Sequence, residues 1–298
     1  MTTRRWPVGI DLPRDRRETE YSPSHRLPDR DLSPFLDRYG ADSAEARRLN
    51  QPTTHAYGDS STTTLDLFLP PILSGREQPS DARPGPPPVH VFIHGGYWQQ
   101  LSKLDSAFLA PACADTGLAL AAVDYTLAPA ATLDQIVDEC TTALRWLRTN
   151  GESLGLDVDR MVVSGSSAGA HLAAMAALRL PRTERPFGLV LVSGVYLLEP
   201  LIGTSINDAV GLDAEAATRN SPLLQTLDGF PPAVVAFGDD ESDEFKAQSR
   251  GLVDALAGAG TPVREVEVAR RNHFDVVFDI VPDLTAELDR LVRPGADR

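Results

Sequence analysis

The chain has only two cysteines in 298 residues, Cys113 and Cys140, and both lie in apolar stretches of helical character. Two isolated cysteines do not make the disulfide framework of a small secreted domain, so we expect a cytoplasmic protein. Basic residues are also few, with 28 Lys and Arg against 42 Asp and Glu and a net charge of -14. So acidic a chain lacks the cations that bind phosphate backbones or anionic lipid, which argues against nucleic acid and membrane partners.

Long apolar runs and cofactor motifs are missing as well. No apolar stretch is long enough to cross a membrane, and Arg4-Arg5 is followed by Pro7 and Asp11 rather than by the apolar segment of a signal peptide. The sequence contains no His-Glu-x-x-His, no Cys-x-x-Cys and no glycine-rich loop that continues into Gly-Lys-Ser/Thr. We therefore expect no metal and no cofactor.

Short apolar segments alternate with amphipathic ones through most of the chain. Strands are predicted at 63–69, 89–93, 118–123, 160–164, 189–192, 233–237 and 263–268. Helices are predicted at 105–115, 134–147, 168–180, 244–259 and 274–293, the last interrupted by Pro282. This alternation predicts an α/β fold with a mostly parallel central sheet and helices on both faces.

The N-terminal segment differs from the rest in composition. Residues 1–60 are polar and rich in Pro, Asp and Arg, which favours an arm or partial cap with one short helix near 44–49. Residues 61–298 are predicted to form a single catalytic unit, in which 70–88 is a surface loop and 194–230 helps to build a pocket.

A Gly-x-Ser-x-Gly pattern, Gly165-Ser166-Ser167-Ala168-Gly169, stands between a predicted strand and a predicted helix. Such a turn is so sharp that larger residues would clash at the glycines, and it presents the middle serine at the edge of the sheet. Ser167 is therefore the candidate nucleophile. The ligand site of a parallel sheet lies beyond the carboxyl ends of its strands, and Ser167 falls at such an end.

A second motif, His94-Gly95-Gly96-Tyr97-Trp98, follows the strand 89–93 directly. Adjacent glycines expose bare backbone amides, although alone they would indicate no more than a turn. In a chain that also carries Gly-x-Ser-x-Gly, the amides of Gly95 and Gly96 are candidates for an oxyanion hole together with that of Ala168.

A serine nucleophile needs a histidine and an acid, and the expected chain order is Ser, acid, His. His273 is the only histidine after the last predicted strand. The acid should lie in the loop after strand 233–237, which reads Gly238-Asp239-Asp240-Glu241-Ser242-Asp243-Glu244. Chemistry alone does not choose among Asp239, Asp240 and Glu241.

With these motifs the chain resembles the hormone-sensitive-lipase-like branch of the α/β hydrolases, and within it the kynurenine formamidases. Segments similar to that family, from about residue 18 to about residue 290, are 21–24, 94–99, 167–175, 193–196, 198–201, 204–208 and 220–222. The resemblance places the acid at Glu241, where the family usually has Asp, with Asp240 as the alternative. A second departure is Ser166, where the family often has His.

The resemblance implies an α/β-hydrolase fold and hydrolysis of N-formyl-L-kynurenine to L-kynurenine and formate through a Ser167–Glu241–His273 triad. Tyr97 and Trp98 could contact the aromatic ring of this small-molecule substrate, and Ser205 and Asn207 its amino acid end. Core packing and loop capping are the alternatives for these four residues. A carboxylesterase of the same fold, or a non-catalytic receptor, is the competing hypothesis, and a homodimer is a possible assembly.

Overall fold

The computed structural model describes residues 8–70 and 85–292. Its centre is one eight-stranded sheet with the order β1-β2-β4-β3-β5-β6-β7-β8. The strands are β1 Thr53–Ala56, β2 Thr64–Phe68, β3 Pro88–Ile93, β4 Ala119–Val123, β5 Asp157–Ser166, β6 Gly188–Val192, β7 Ala233–Asp240 and β8 Val263–Asn272. β2 pairs antiparallel with both β1 and β4. The remaining pairs, β4–β3, β3–β5, β5–β6, β6–β7 and β7–β8, are parallel. The prediction of a mostly parallel sheet is confirmed.

Helices cover both faces of this sheet, as predicted. In the described ranges they are α1 Arg14–Glu20, α2 Ser33–Leu49, α3 Ala110–Asp115, α4 Leu133–Asn150, α5 Ala168–Arg179, α6 Asn207–Val210, α7 Ala214–Arg219, α8 Asp243–Gly258 and α9 Thr285–Val292. Successive strand residues point to opposite faces. Val91 and Leu191 therefore pack with α4, α5 and α8, while Phe92 and Val190 pack with α2, α3 and α9. None of the described helices is long and apolar enough to span a bilayer.

The N-terminal segment contains more regular structure than the sequence predicts. In place of a short helix near 44–49, α2 runs from Ser33 to Leu49 and buries Tyr39, Ser43 and Ala46 at spacings of four and three residues. The stripe is narrow and partly polar, so its helical periodicity is weak in the sequence. β1 also belongs to this segment and pairs with β2, so residue 60 falls between two strands of the same sheet.

Other predicted bounds differ by local details. Segment 105–115 consists of two short 3-10 turns followed by α3, and the final helix is preceded by irregular turns from Val276 to Leu284. The backbone leaves the helical region at Val281, directly before Pro282, because a proline disfavours helical geometry in the residue that precedes it. Most of the predicted loop 70–88, and Arg4-Arg5, lie outside the described residues.

The strand register brings the predicted site loops to one edge of the sheet. Ile93 at the end of β3 pairs with Gly165 of β5, and Ser166 pairs with Val192 at the end of β6. β7 and β8 end at Asp240 and Asn272, which are paired. β3 continues to β4 on one side of it, and β5 continues to β6 on the opposite side. Because the connections from these two neighbouring strands run in opposite directions, a crevice opens at their carboxyl ends.

Candidate active site

Ser167 occupies a strained turn between β5 and α5. Its backbone has φ 56° and ψ -120°, a conformation that non-glycine residues adopt rarely and that often marks a functional residue. Its amide donates to the carbonyl of Val192 at 2.8 Å, which ties the turn to the neighbouring strand. The side chain is buried apart from the part that lines a cavity. The geometry is that of the strand-to-helix elbow that the motif predicts.

The two outer glycines of the motif are required by close backbone contacts. A Cβ atom on Gly165 would lie 2.3 Å from the carbonyl carbon of Gly169. One on Gly169 would lie 2.0 Å from the carbonyl oxygen of Ile93. Real Cβ atoms do not approach so closely, so any side chain at either position would push α5 away from the sheet.

His273 lies just after β8 and contacts one of the three acids that the sequence leaves open. Its Nδ1 is 2.9 Å from Oε2 of Glu241, and both side chains are buried. Asp240, by contrast, is half exposed and pairs with Arg26 at 2.6 Å. Asp239 is also exposed, and its Oδ1 accepts a hydrogen bond from the backbone of Arg271. Of the three acids, Glu241 is therefore the one whose side chain contacts the imidazole of His273.

The second oxygen of Glu241 is held as firmly as the first. Oε1 accepts hydrogen bonds from the hydroxyl of Ser193 and from the amide of Gly238, both at 2.6 Å. A buried carboxylate needs such donors, because its water shell has been removed. Ser193 was not assigned a role from the sequence, although it belongs to a segment that resembles the family. Its position directly after β6, at the same edge as Ser167, is the signal that could have indicated one.

The loop with the two glycines faces the nucleophile. A Cβ on Gly95 would lie 3.3 Å from the Cβ of Ser167, and both Gly95 and Gly96 line the cavity. Tyr125, which the sequence analysis missed, fixes this loop from behind. Its hydroxyl donates to the carbonyl of His94 at 3.0 Å and to that of Gly95 at 3.3 Å, and its ring stacks on His94. Both carbonyls are thereby engaged away from the cavity.

Ala168, the third expected oxyanion donor, is the first residue of α5. The amides in the first turn of a helix have no carbonyl partner within that helix, and the helix dipole places partial positive charge there. The amide of Ala168 is therefore available for an anion that forms beside Ser167.

Trp98 lies in the core and is not part of the cavity wall. It is completely buried, and its indole Nε1 donates to Nδ1 of His171 on α5 at 3.3 Å. His171 Nε2 donates in turn to the carbonyl of Asn220 at 2.6 Å. Burial lowers the pKa of His171 to about 4, so the ring is neutral and can accept one bond while donating the other. In place of the predicted contact with substrate, Trp98 forms a hydrogen bond that connects the glycine loop to α5.

Of the other three residues predicted to contact substrate, two line the cavity and one does not. Tyr97 lines the cavity, and its hydroxyl donates to the carbonyl of Tyr21 at 2.5 Å. Ser205 also lines the cavity, and its hydroxyl contacts the carboxylate of Glu18. Asn207 does not: its side-chain amide accepts from and donates to the backbone of Leu212, at 2.7 and 2.9 Å. Asn207 is therefore a loop cap.

The cavity measures about 340 Å³, which is within the usual range for small-molecule sites. Ser166, Ser167 and His273 line it, together with Gly95 and Gly96. The lining also includes an apolar wall that was not predicted from the sequence, which consists of Leu32, Leu36, Tyr39, Phe92, Phe108, Phe274 and Val277. In the ranges that the structure describes, no three histidine, cysteine or carboxylate side chains come together as they would around a metal ion.

Comparison with known proteins places these features in a family. A family model described as an alpha/beta hydrolase fold matches residues 90–276. A kynurenine formamidase of Danio rerio is 30% identical over 91% of this chain and 93% of that protein. A carboxylesterase of Mycobacterium tuberculosis is 29% identical over 67% of this chain and 70% of that protein. The crystal structure of a protein of Silicibacter sp. TM1040 has a TM-score of 0.73 at 25% identity and covers 88% of this chain and 94% of that one.

The sheet order, the elbow at Ser167 and the family match define the fold as that of an α/β hydrolase. Within that fold, the similarity to the zebrafish enzyme extends over nearly the whole length of both proteins. The chain belongs to the kynurenine formamidase family.

Proposed function

We propose that this protein hydrolyses N-formyl-L-kynurenine to L-kynurenine and formate, with Ser167 as nucleophile, His273 as general base and acid, and Glu241 as the orienting carboxylate. The observation that carries the proposal is the buried contact between His273 and Glu241 beside a cavity that Ser167 also lines. Membership of the kynurenine formamidase family supplies the substrate class.

The reaction begins with the attack of Ser167 on the formyl group. Because Glu241 engages Nδ1 of His273, the neutral imidazole carries its proton there and leaves Nε2 free as the base. Nε2 takes the proton of the Ser167 hydroxyl while the oxygen attacks the formyl carbon. The carbonyl oxygen becomes an oxyanion, which the amides of Gly95, Gly96 and Ala168 stabilise. One such donor typically contributes about 3 kcal/mol in the transition state.

The second half releases the two products. The imidazolium of His273 donates its proton to the anilide nitrogen, and the C–N bond breaks. Kynurenine leaves, while the formyl group remains bound to Ser167 as an ester. His273 then deprotonates a water molecule, which attacks the same carbon. Formate departs, and Ser167 recovers its proton. The positive charge of the imidazolium in both steps is balanced by Glu241.

Two properties of a formanilide suit a serine nucleophile in this cavity. Its aryl amine leaves more readily than an alkyl amine, and its small formyl group does not crowd the turn at Ser167. The apolar wall formed by Tyr39, Phe108 and Phe274 offers aromatic surface for the ring of the substrate. It takes the place of the contact predicted for Trp98.

A carboxylesterase acting on small acyl or aryl esters is the second candidate. The similarity to the carboxylesterase of Mycobacterium tuberculosis favours it, and the same three residues would serve both reactions. Only a comparison of substrates separates them. A kcat/KM for N-formylkynurenine well above that for p-nitrophenyl acetate supports the formamidase, and the reverse order supports the esterase.

The nucleophile is tested by Ser167→Ala, with Ser153→Ala as the matched control because Ser153 is an exposed serine that does not line the cavity. We expect Ser167→Ala to lose nearly all formation of kynurenine, followed by its absorbance, and to lose labelling by a fluorophosphonate probe. Ser153→Ala should keep both. Undiminished turnover by Ser167→Ala would refute the assignment, and an unlabelled wild-type protein would favour a non-catalytic receptor.

A further inference from the structure

The cavity beside Ser167 has an uneven distribution of charge. Asp105 is the only carboxylate among the described residues that line it, and no lysine or arginine of the described ranges lines it. The hydroxyl and amide side chains of the wall away from the triad carry no charge, and they include Ser22, Ser24, Gln100 and Ser205. Among the described residues, the wall of the cavity therefore includes an anionic side chain but no lysine or arginine to match it.

Two basic side chains close to this part of the chain, Lys103 and Arg47, form ion pairs with another carboxylate. Lys103 Nζ lies 2.8 Å from Oδ1 of Asp66, and Arg47 Nη1 lies 2.6 Å from Oδ2 of the same residue. Asp105 itself accepts a hydrogen bond from the hydroxyl of Ser102 at 3.0 Å, through Oδ2. Within the described ranges, no lysine or arginine forms an ion pair with it. Among the described residues Asp105 thus lacks a cationic side chain, and a cationic ligand in the cavity would supply such a partner.

Asp105 also lies next to the surface that suits an aromatic ring. Phe108 follows it by three residues, and its ring stacks on Tyr39 with centroids 5.5 Å apart. In N-formylkynurenine the amino acid chain is attached to the ring carbon adjacent to the formamide. A ring placed on Phe108 and Tyr39, with its formyl group at Ser167, carries an ammonium group within the same cavity as Asp105.

We propose that Asp105 binds the ammonium group of the substrate and makes the site select formanilides that carry a primary ammonium over those that carry only a carboxylate. The inference rests on the proposed function and assigns a specificity residue to it. Because no lysine or arginine of the described ranges lines the wall, we expect the carboxylate of the substrate to contribute less to kcat/KM than the ammonium. The decarboxylated compound, N-formylkynurenamine, is then a substrate of the same site.

Four formanilides with different charged groups on the side chain test this selection. They are N-formylkynurenine with both groups, N-formylkynurenamine with the ammonium alone, 4-(2-formamidophenyl)-4-oxobutanoic acid with the carboxylate alone, and neutral 2′-formamidoacetophenone. We expect the kcat/KM of N-formylkynurenamine to exceed that of the carboxylate compound by about tenfold or more, the effect of one hydrogen bond between charged groups.

The variant Asp105→Asn removes the charge and keeps an acceptor for Ser102. The ratio of kcat/KM for N-formylkynurenamine to that for 2′-formamidoacetophenone should fall about tenfold in this variant. A general loss of folding or catalysis lowers both values and leaves their ratio unchanged. Asp37→Asn on α2, an exposed residue outside the cavity wall, makes the same charge change and should not alter the ratio.

A binding measurement separates this inference from the proposed function. Calorimetry with Ser167→Ala protein measures the Kd of kynurenamine and of 4-(2-aminophenyl)-4-oxobutanoic acid, with and without Asp105→Asn. We expect the Kd of kynurenamine to rise about tenfold, and that of the acid to stay the same or fall. An unchanged ratio and an unchanged Kd of kynurenamine would overturn the role of Asp105. Failure of all four formanilides, with p-nitrophenyl acetate hydrolysed, would contradict the proposed function, while the Kd values still decide on Asp105.

Discussion

Oε2 of Glu241 lies 2.9 Å from Nδ1 of His273, and the opposite oxygen of the carboxylate accepts from Ser193 and Gly238. The acid is therefore fixed at both ends, and the imidazole ring that it contacts cannot turn without breaking a buried hydrogen bond. Loss of such a bond leaves an unsatisfied buried acceptor, which costs about 1–3 kcal/mol. The hydrogen bond to Glu241 thus holds the imidazole ring of His273 in one orientation, in the wall of the cavity that Ser167 also lines.

Replacing Glu241 by Gln should lower kcat by about 10³- to 10⁴-fold, because a neutral amide neither stabilises the imidazolium nor enforces the tautomer with a free Nε2. Asp240→Asn is the matched control: Asp240 is half exposed and pairs with Arg26, so its kcat should stay within about twofold of the wild type. Steady-state kinetics with N-formylkynurenine measure both. Equal losses in the two variants would contradict the assignment of the acid.

Tyr125→Phe should lower kcat about fivefold to tenfold with little change in KM. Its hydroxyl fixes the carbonyls of His94 and Gly95, so its loss loosens the amides that hold the oxyanion, a group present only in the transition state. Tyr57→Phe removes a comparable buried hydroxyl, which donates to the carbonyl of Asp124, and should keep kcat. A rise in KM with unchanged kcat in Tyr125→Phe would show that the tyrosine serves substrate binding instead.

The sequence predicts those parts of the site that depend on local geometry. A tight turn needs Gly165 and Gly169, and a parallel sheet places the ends of its strands together, so Ser167, His273 and the glycine loop follow from the pattern. The choice of Glu241 over Asp240 depends on where β7 ends. The strand runs to Asp240, and Glu241 is the first residue beyond it, a boundary that a run of acidic residues does not mark in the sequence.

The cavity wall could not be predicted in this way. Leu36 and Tyr39 reach the site from α2, which is distant in sequence from every catalytic motif. The direction of Trp98 depends on positive φ angles at Tyr97 and Trp98, 49° and 61°, which turn the indole into the core. Non-glycine residues rarely adopt this conformation, so nothing in the local sequence indicates it.

Gly169→Ala should destabilise the fold by about 3 kcal/mol or more, because the added Cβ would lie 2.0 Å from the carbonyl oxygen of Ile93 and α5 would have to move. Gly258→Ala is the control. Gly258 is the last residue of α8, and no atom lies within 4 Å of the position that a Cβ would take there, so alanine should be neutral or stabilise by roughly 0.5 kcal/mol. Urea unfolding measures both changes. A Gly169→Ala midpoint equal to that of the wild type would refute the close-packing argument.

Glu244→Gln should raise the Tm at pH 7 and have little effect at pH 4. Burial raises the pKa of Glu244 above its usual value, although the hydroxyl of Tyr21, at 3.1 Å, opposes the shift. A raised folded-state pKa means that the stability associated with the protonated form is present at low pH and is lost as the pH rises through that pKa. Glutamine stays neutral throughout and still accepts from Tyr21. Exposed Glu152→Gln should show no such pH-dependent gain. A Tm of Glu244→Gln that falls at pH 7 would show that the hydrogen bonds of the carboxylate outweigh the cost of burying its charge.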